Sequence, residues 1–331
     1  MTRKHCSIVI RAFNEERFIA KALTGIKQQI DVETEVILVD SGSTDSTVSI
    51  AEDYGAKVVH IRPEDFTFGR ALNIGCEAAS NDLLVFASAH VYPVYRDWLK
   101  HVLEPFSRPA VGLSYGRQIG NEITKYSEHR LFAKWFPEVS DENQSHPFCN
   151  NANTAVRRSV WETYRYDESL TGLEDLDFAK RILRDGHQVA YRADAPVVHV
   201  HEETPARIYN RYRREAIALK QIIPSERMTV FDLVRLFVGN TVSDVAHAAY
   251  ERRLRGNLLS IPVFRLMQFA GAYRGFRQRG PIGSALRQRF YYPNEIRRIP
   301  TEPPRVEQVR VNYESHDVGS RWANATSSVR T

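Results

Sequence analysis

Leu83-Leu84-Val85-Phe86-Ala87-Ser88-Ala89-His90 is an apolar run of strand length that gives way to polar residues at its carboxyl end. Two earlier runs do the same: Ser7-Ile8-Val9-Ile10-Arg11-Ala12-Phe13-Asn14-Glu15 and Glu35-Val36-Ile37-Leu38-Val39-Asp40-Ser41-Gly42-Ser43-Thr44-Asp45. Short, continuous apolar runs bounded by turn residues read as strands buried on both faces. In open α/β sheets, ligands bind in the crevice outside the carboxyl ends of the strands. The three runs therefore predict a site as well as a fold.

Between them the spacing becomes helical. Phe18, Ile19, Ala22, Leu23 and Ile26 predict a helix over 15–28, and Asp45 can cap a second that carries Val48, Ile50, Ala51 and Tyr54 to Gly55. Lys57 to His60 reads as a short strand and Arg70 to Ala79 as a helix, so the β-α-β-α-β alternation predicts a mostly parallel sheet. Further on, a helix is expected over 98–106, a strand over 111–119, a helix over 173–184 and strands near Val189 and Val197. Residues 121–152 are aromatic, polar and without clear period. They are expected to be an irregular functional loop and a wall for an acceptor.

Length divides the 331 residues into one sizeable domain, residues 1–204, a basic helical region over 205–300 and a partly irregular tail over 301–331. Net charge is only +5, but Arg211, Arg213, Arg214, Arg252, Arg253, Arg255, Arg274, Arg277 and Arg279 fall in the second segment, where acids are few. Such a face suits anionic lipid or a phosphorylated or nucleotide ligand, or is simply a solvated helical surface. Cys6, Cys76 and Cys149 stand far apart and offer no disulfide framework or thiolate metal site, which fits a reducing compartment. The start leaves no room for a signal peptide, and no apolar stretch approaches bilayer-spanning length, so the expectation is a cytoplasmic protein able to lie on the inner face of a membrane.

Five ordered motifs then sharpen the picture: Arg11-Ala12-Phe13-Asn14-Glu15, Val39-Asp40-Ser41-Gly42-Ser43-Thr44-Asp45, Gly69-Arg70-Ala71-Leu72-Asn73-Ile74-Gly75, Ser88-Ala89-His90 and Gly172-Leu173-Glu174-Asp175-Leu176-Asp177. Together, over roughly residues 6–204, they closely resemble the family-2 glycosyltransferases. The resemblance implies an α/β GT-A fold, a nucleotide-binding, Rossmann-like mixed sheet flanked by helices, here followed by the basic helical region. It also implies an inverting transfer of sugar from a nucleotide-sugar donor to a glycan or lipid-linked acceptor hydroxyl, in cell-surface polysaccharide or glycolipid synthesis.

On that resemblance the nucleotide is framed by Ala12, Phe13, Asn14 and Glu15, with Asp40 on the base or ribose and Arg70 facing the phosphates. A planar five-donor guanidinium suits that last task. The family's Asp-x-Asp is here Ser88-Ala89-His90, so the two usual carboxylates are absent, and the resemblance leaves Ser88 and Ala89 as nucleotide-binding positions. His90 takes the second acid's place, and His199 and His201, two apart and so on one face of a strand, are candidates to complete a divalent metal site. Imidazole ligands shift preference from Mg2+ towards Mn2+. Glu174 and Asp175 match the family's catalytic pair, with Asp175 as general base and Glu174 orienting acceptor or base, while Asp177 supports the helix. The plainer readings are turn capping for Asp40 and Asp45, helix capping for the acids, and buried structural roles for the histidines.

Two other function classes compete. A sugar-nucleotide-binding or scaffolding protein of the same fold is suggested by the missing Asp-x-Asp acids, and opposed by Glu174-Asp175. A nucleotidyltransferase would carry a Gly-rich, basic phosphate loop after the first strand, where Ala12-Phe13-Asn14-Glu15 stands instead. No nucleic-acid partner is expected, and the basic helices suit either peripheral membrane contact or pairing with a second subunit.

Overall fold

A computed structural model of the chain describes residues 4–280 together with Gly283, Leu286, Phe290 and Tyr291. The tail expected to be irregular, 301–331, lies outside the described residues.

The first half alternates as the periodicity predicts: β1 (Lys4–Ala12), α1 (Ile19–Lys27), β2 (Val32–Asp40), α2 (Thr47–Asp53), β3 (Lys57–His60), α3 (Phe68–Ala78) and β4 (Leu83–Ser88). There follow β5 (Val91–Pro93), α4 (Trp98–Leu103), β6 (Val111–Ile119), α5 (Tyr126–Trp135), β7 (Asn153–Arg157), α6 (Arg158–Tyr164), α7 (Glu174–Arg184) and β8 (Gln188–His199). The chain continues as α8 (Pro205–Ile222), α9 (Val230–Tyr250), α10 (Leu254–Asn257) and α11 (Ser260–Phe276). One eight-stranded sheet runs β3-β2-β1-β4-β7-β6-β8-β5. Its first four strands are parallel, β7 is antiparallel to both neighbours, and β6 is parallel to β8.

Period-two alternation divides the core. Ile8, Ile10, Leu38, Val85 and Ala87 pack on one side with Ile19, Leu23, Trp98 and Leu99, whereas Val9, Ile37, Val39, Leu84 and Phe86 pack on the other with Leu72, Phe178 and Ile182. Each such side chain contributes about 1.5–3 kcal/mol through its burial. Because both faces are covered, the strands lack the polar alternation of a half-exposed sheet.

Besides the short β5 and α6, which no period announced, three elements depart from the expectation. The supposedly irregular stretch contains α5, whose buried face is largely polar, Tyr126, Ser127, Glu128 and Phe132, so hydropathy does not reveal its period. β7 was hidden by its opening asparagine. Fully buried Asn153 accepts from Trp98 Nε1 at 2.8 Å and donates to the carbonyls of Arg117 and Ala195 at 3.0 and 2.9 Å, a satisfied polar group at the centre of the sheet. The strands near Val189 and Val197 are one strand, β8.

Thr204 caps α8, its hydroxyl accepting from the amide of Arg207. α11 packs closely along α8 because a Cβ at Gly271 would lie 2.3 Å from the carbonyl oxygen of Tyr209, and one at Gly275 would lie 2.4 Å from that of Arg213. α9 and α11 are tied by a buried ion pair, Arg265 to Asp244 at 2.7 and 3.0 Å, and rest on α5 through Tyr126, Ala248 and Ile261. The helical region is thus packed against the sheet domain at α5.

Candidate functional site

A cavity of about 630 Å³ opens at the carboxyl ends of β1, β2 and β4. Its floor is Arg11–Glu15, Ser41, Ser88 and His90; one wall is Asn150–Ala152 with Gly172–Asp175; the other is His199–Glu203 with α8 residues Arg207, Asn210, Arg211, Arg214 and Glu215. The helical region therefore supplies part of the same cavity as the strands.

The loops after β1 and β2 interlock. Asn14, in the left-handed conformation at φ 55°, donates its amide to Ser43 Oγ and accepts at Oδ1 from the Thr44 amide; the Glu15 amide reaches Thr47 Oγ1 at 2.7 Å. Asp40, 2 % exposed, accepts from the amides of Gly42 and Ser43 and meets His60 at 3.3 Å. Its carboxylate shapes the loop and does not line the cavity. Arg70 and Ala89 stand outside it too: Arg70 is half-exposed and paired with Glu168 at 3.8 Å, and Ala89 is fully buried. Asp177 pairs with Arg181 at 2.8 Å on α7.

α7 begins at Glu174, just after Leu173 turns through φ 55°. Asp175, buried, accepts from the amides of Asn151 at 3.1 Å and Leu176 at 2.8 Å. Burial, with the adjacent Glu174 charge, raises its pKa to about 7 despite those bonds. Glu174 is held by Arg11 at 2.9 Å. Arg11 and Arg214 in turn lie over the ring of Phe68, at 4.8 and 4.6 Å from its centroid.

Opposite in character is the histidine cluster. Val91 pairs with His199 and the Val200 amide donates to the His90 carbonyl, which brings the segment after β4 against the end of β8. One ligand nitrogen from each of His90, His199 and His201 lies within 4.8 Å of the others. Every ring is held from behind through Nδ1: His90 by Glu15 at 2.8 Å, His199 by Gln118 Oε1 at 2.7 Å and His201 by Glu128 at 2.6 Å. Each of these partners is an oxygen acceptor, so Nδ1 carries the proton and Nε2 keeps its lone pair. The Nε2 atoms of His199 and His201 face each other at 2.9 Å. Two lone pairs at that separation repel unless a proton or a cation lies between them, and imidazoles backed by carboxylate or amide oxygens are the usual metal-binding arrangement. The residues present therefore fit a divalent ion. Burial, then His201, His90 and Arg211, lower the pKa of His199 well below its ordinary value and keep it neutral. Burial also disfavours charge on His90, but Glu15 outweighs it and raises the pKa.

Of the residues expected from sequence, the cavity gathers Ala12, Phe13, Asn14, Glu15, Ser88, His90, Glu174, Asp175, His199 and His201. Sequence reading missed Gln118 and Glu128 as supports for the histidines, and Arg207, Arg211 and Arg214 as cavity cations. The arginine run of α8 was visible, with a phosphorylated or nucleotide ligand among its readings, but no local spacing placed it at the carboxyl ends of the strands. Arg211 spans both roles, pairing with Glu128 and Glu203, each at 2.7 Å.

Residues 7–165 match the family described as glycosyl transferase family 2. The chain is 27% identical over 218 residues to the O-antigen chain rhamnosyltransferase RfbN of Salmonella typhimurium, covering 62% of this chain and 69% of that protein. It is likewise 27% identical over 197 residues to the O-antigen chain rhamnosyltransferase WbaN of Salmonella anatum, covering 56% and 62%. Among solved structures, the mannosyltransferase PcManGT from Pyrobaculum calidifontis, in complex with GDP-Man and Mn2+, superposes with a TM-score of 0.55 at 18% identity over 88% of each chain. The mixed sheet with flanking helices is the GT-A fold.

Proposed function

We propose, for a chain that belongs to glycosyl transferase family 2 and is a glycosyltransferase, that it moves a sugar from a nucleotide-sugar donor to an acceptor hydroxyl with inversion. The observation that carries this reading is Asp175, a carboxyl raised to about 7 inside the cavity that also holds the histidine cluster. A base poised near neutral pH can take the acceptor proton at working pH and is not trapped by it.

In the proposed step the acceptor oxygen attacks the anomeric carbon as the carbon–oxygen bond to the diphosphate breaks. The hydroxyl proton passes to Asp175, and the nucleoside diphosphate leaves with the bonding pair. Arg11 holds Glu174 beside the base, while Arg207, Arg211 and Arg214 place positive charge where the diphosphate's charge increases. His90, His199 and His201 would hold a divalent metal, which supplies further neutralisation of the leaving group when bound. Nitrogen ligands favour Mn2+ over Mg2+. Ala12–Glu15 and Ser88 would frame the nucleotide. The rhamnosyltransferase relatives support a role in cell-surface polysaccharide or glycolipid assembly with a glycan or lipid-linked acceptor.

Thermal unfolding across a panel of nucleotide sugars, each with Mn2+, with Mg2+ and with neither, tests the proposal, since a ligand of the native state raises its stability. One nucleotide series should stabilise the protein most with Mn2+. His90→Ala should weaken binding of the matching nucleoside diphosphate more than that of the nucleoside. Equal weakening of both, or stabilisation indifferent to metal, would remove the histidines from the donor site.

A further inference from the structure

The helices after α8 leave a surface that the transfer reaction does not use. On α9, Phe231, Val234, Val238 and Val242 are all exposed, Phe231 at 72%. Their spacing, three residues and then four and four, puts them on one helical face. α9 is anchored through a flanking side, where Asp244 and Ala248 are buried. At the connection to α11, Tyr250 is 88% exposed and Leu259 79%, with Leu258 also exposed and Arg252, Arg253 and Arg255 exposed between them. Val263 and Leu266 extend the apolar surface along α11.

Charge decides what covers it. Between Arg227 and Arg279 there are nine arginines and three acids, and one acid, Asp244, is used up in the buried pair with Arg265. A second copy would bring the same excess of positive charge to the same patch, and like charges brought together are costly. An anionic lipid surface brings the opposite charge and, beneath its headgroups, an apolar layer for Phe231, Tyr250 and Leu259. Among the described residues no helix is long and apolar enough to cross a membrane, so the contact would lie in the interface plane.

We infer that the exposed face of α9 and the α9–α11 connection form a peripheral docking surface for anionic bilayers. The same helices rest on α5, where Arg265 approaches the Ser127 carbonyl at 3.5 Å, next to Glu128 behind His201. α11 also lies along α8, the helix that carries the cavity arginines. Docking would therefore tether, through α11, the helix that carries the cavity arginines. The docking itself stands whether or not the sugar-transfer reading holds.

Full-length protein is to be sedimented with phosphatidylcholine vesicles with and without phosphatidylglycerol, at low and high salt. The expected result is binding only to the anionic vesicles, weakened by salt. Two variants should lose it: Arg252→Ser/Arg253→Ser/Arg255→Ser, by roughly a hundredfold at low salt if each basic residue is worth about a factor of five, and Leu258→Glu/Leu259→Glu. Every altered side chain but Arg253, which lies over the Tyr126 ring, is solvent-facing, and unchanged thermal unfolding would show that the fold is retained. Absence of binding to anionic vesicles at low salt overturns the inference. So does a concentration-dependent dimer, seen by sedimentation velocity, that Val238→Asp/Val242→Asp abolishes.

Discussion

The two walls of the cavity are both buried, and burial does opposite chemistry on them. At Asp175 the loss of water, with the Glu174 charge beside it, leaves a proton on the carboxyl up to about pH 7. At His199 the same loss of water strips the proton from the imidazole. In each case the neutral form wins, because desolvation penalises whichever state is charged. For an acid the neutral form is a proton carrier; for a histidine it is an electron-pair donor. A single physical effect thus gives one cavity a protonated carboxyl on one side and a neutral imidazole on the other, the division on which the proposed proton transfer and cation binding rest.

Removing the acid should break that division most severely. Asp175→Asn is expected to lower turnover by roughly two to four orders of magnitude while nucleotide and metal binding persist, measured by steady-state kinetics beside calorimetry. In the unaltered enzyme turnover should rise with pH through about 7, since the base must be ionised to act and is protonated below that value. The variant should lose this limb. A next, smaller effect is expected in the histidine cluster from Glu15→Gln on the floor, which keeps an acceptor for His90 Nδ1 but removes its charge. Mn2+ affinity should fall by about tenfold to a hundredfold, with the pH limb unmoved. A limb that moved would mean that the walls are not independent. The smallest change is expected from Glu174→Gln. Removing its charge and freeing Arg11 both favour ionised Asp175, so the limb should move to lower pH; movement upward would contradict the assigned cause.

The floor and the acid wall were legible in the sequence because strand ends and a helix start are local signals. Ala12–Glu15, Ser88, His90 and Glu174-Asp175 each follow directly from an apolar run or open a helix, whereas Arg11 was read only as part of its motif. The histidines were legible as candidates, but their supports were not. Glu15, Gln118 and Glu128 stand 75, 81 and 73 residues from the rings they hold, a relation fixed by sheet order and by no local spacing. α5 was hidden for a related reason: its inward face is polar because it must meet His201 and Arg211, so a search for apolar period passes over it. Asp40 and Arg70 lie outside the cavity lining. Both sit in well-marked motifs, yet the carboxylate is turned into its own loop and the guanidinium out to Glu168.

Two absent methyl groups on α11 set the calibre of a cavity they never touch. With alanine at Gly271 or Gly275, the new carbon would meet the backbone of α8 at 2.3 or 2.4 Å, and backbone has no rotamer by which to yield. α8 and α11 would have to separate, and any share of that shift taken by α8 would carry Arg207, Arg211 and Arg214 with it and draw Arg211 from Glu128 behind His201. If the proposed donor site is right, its selectivity has an adjusting screw on the outer side of the molecule, at positions that never line the cavity.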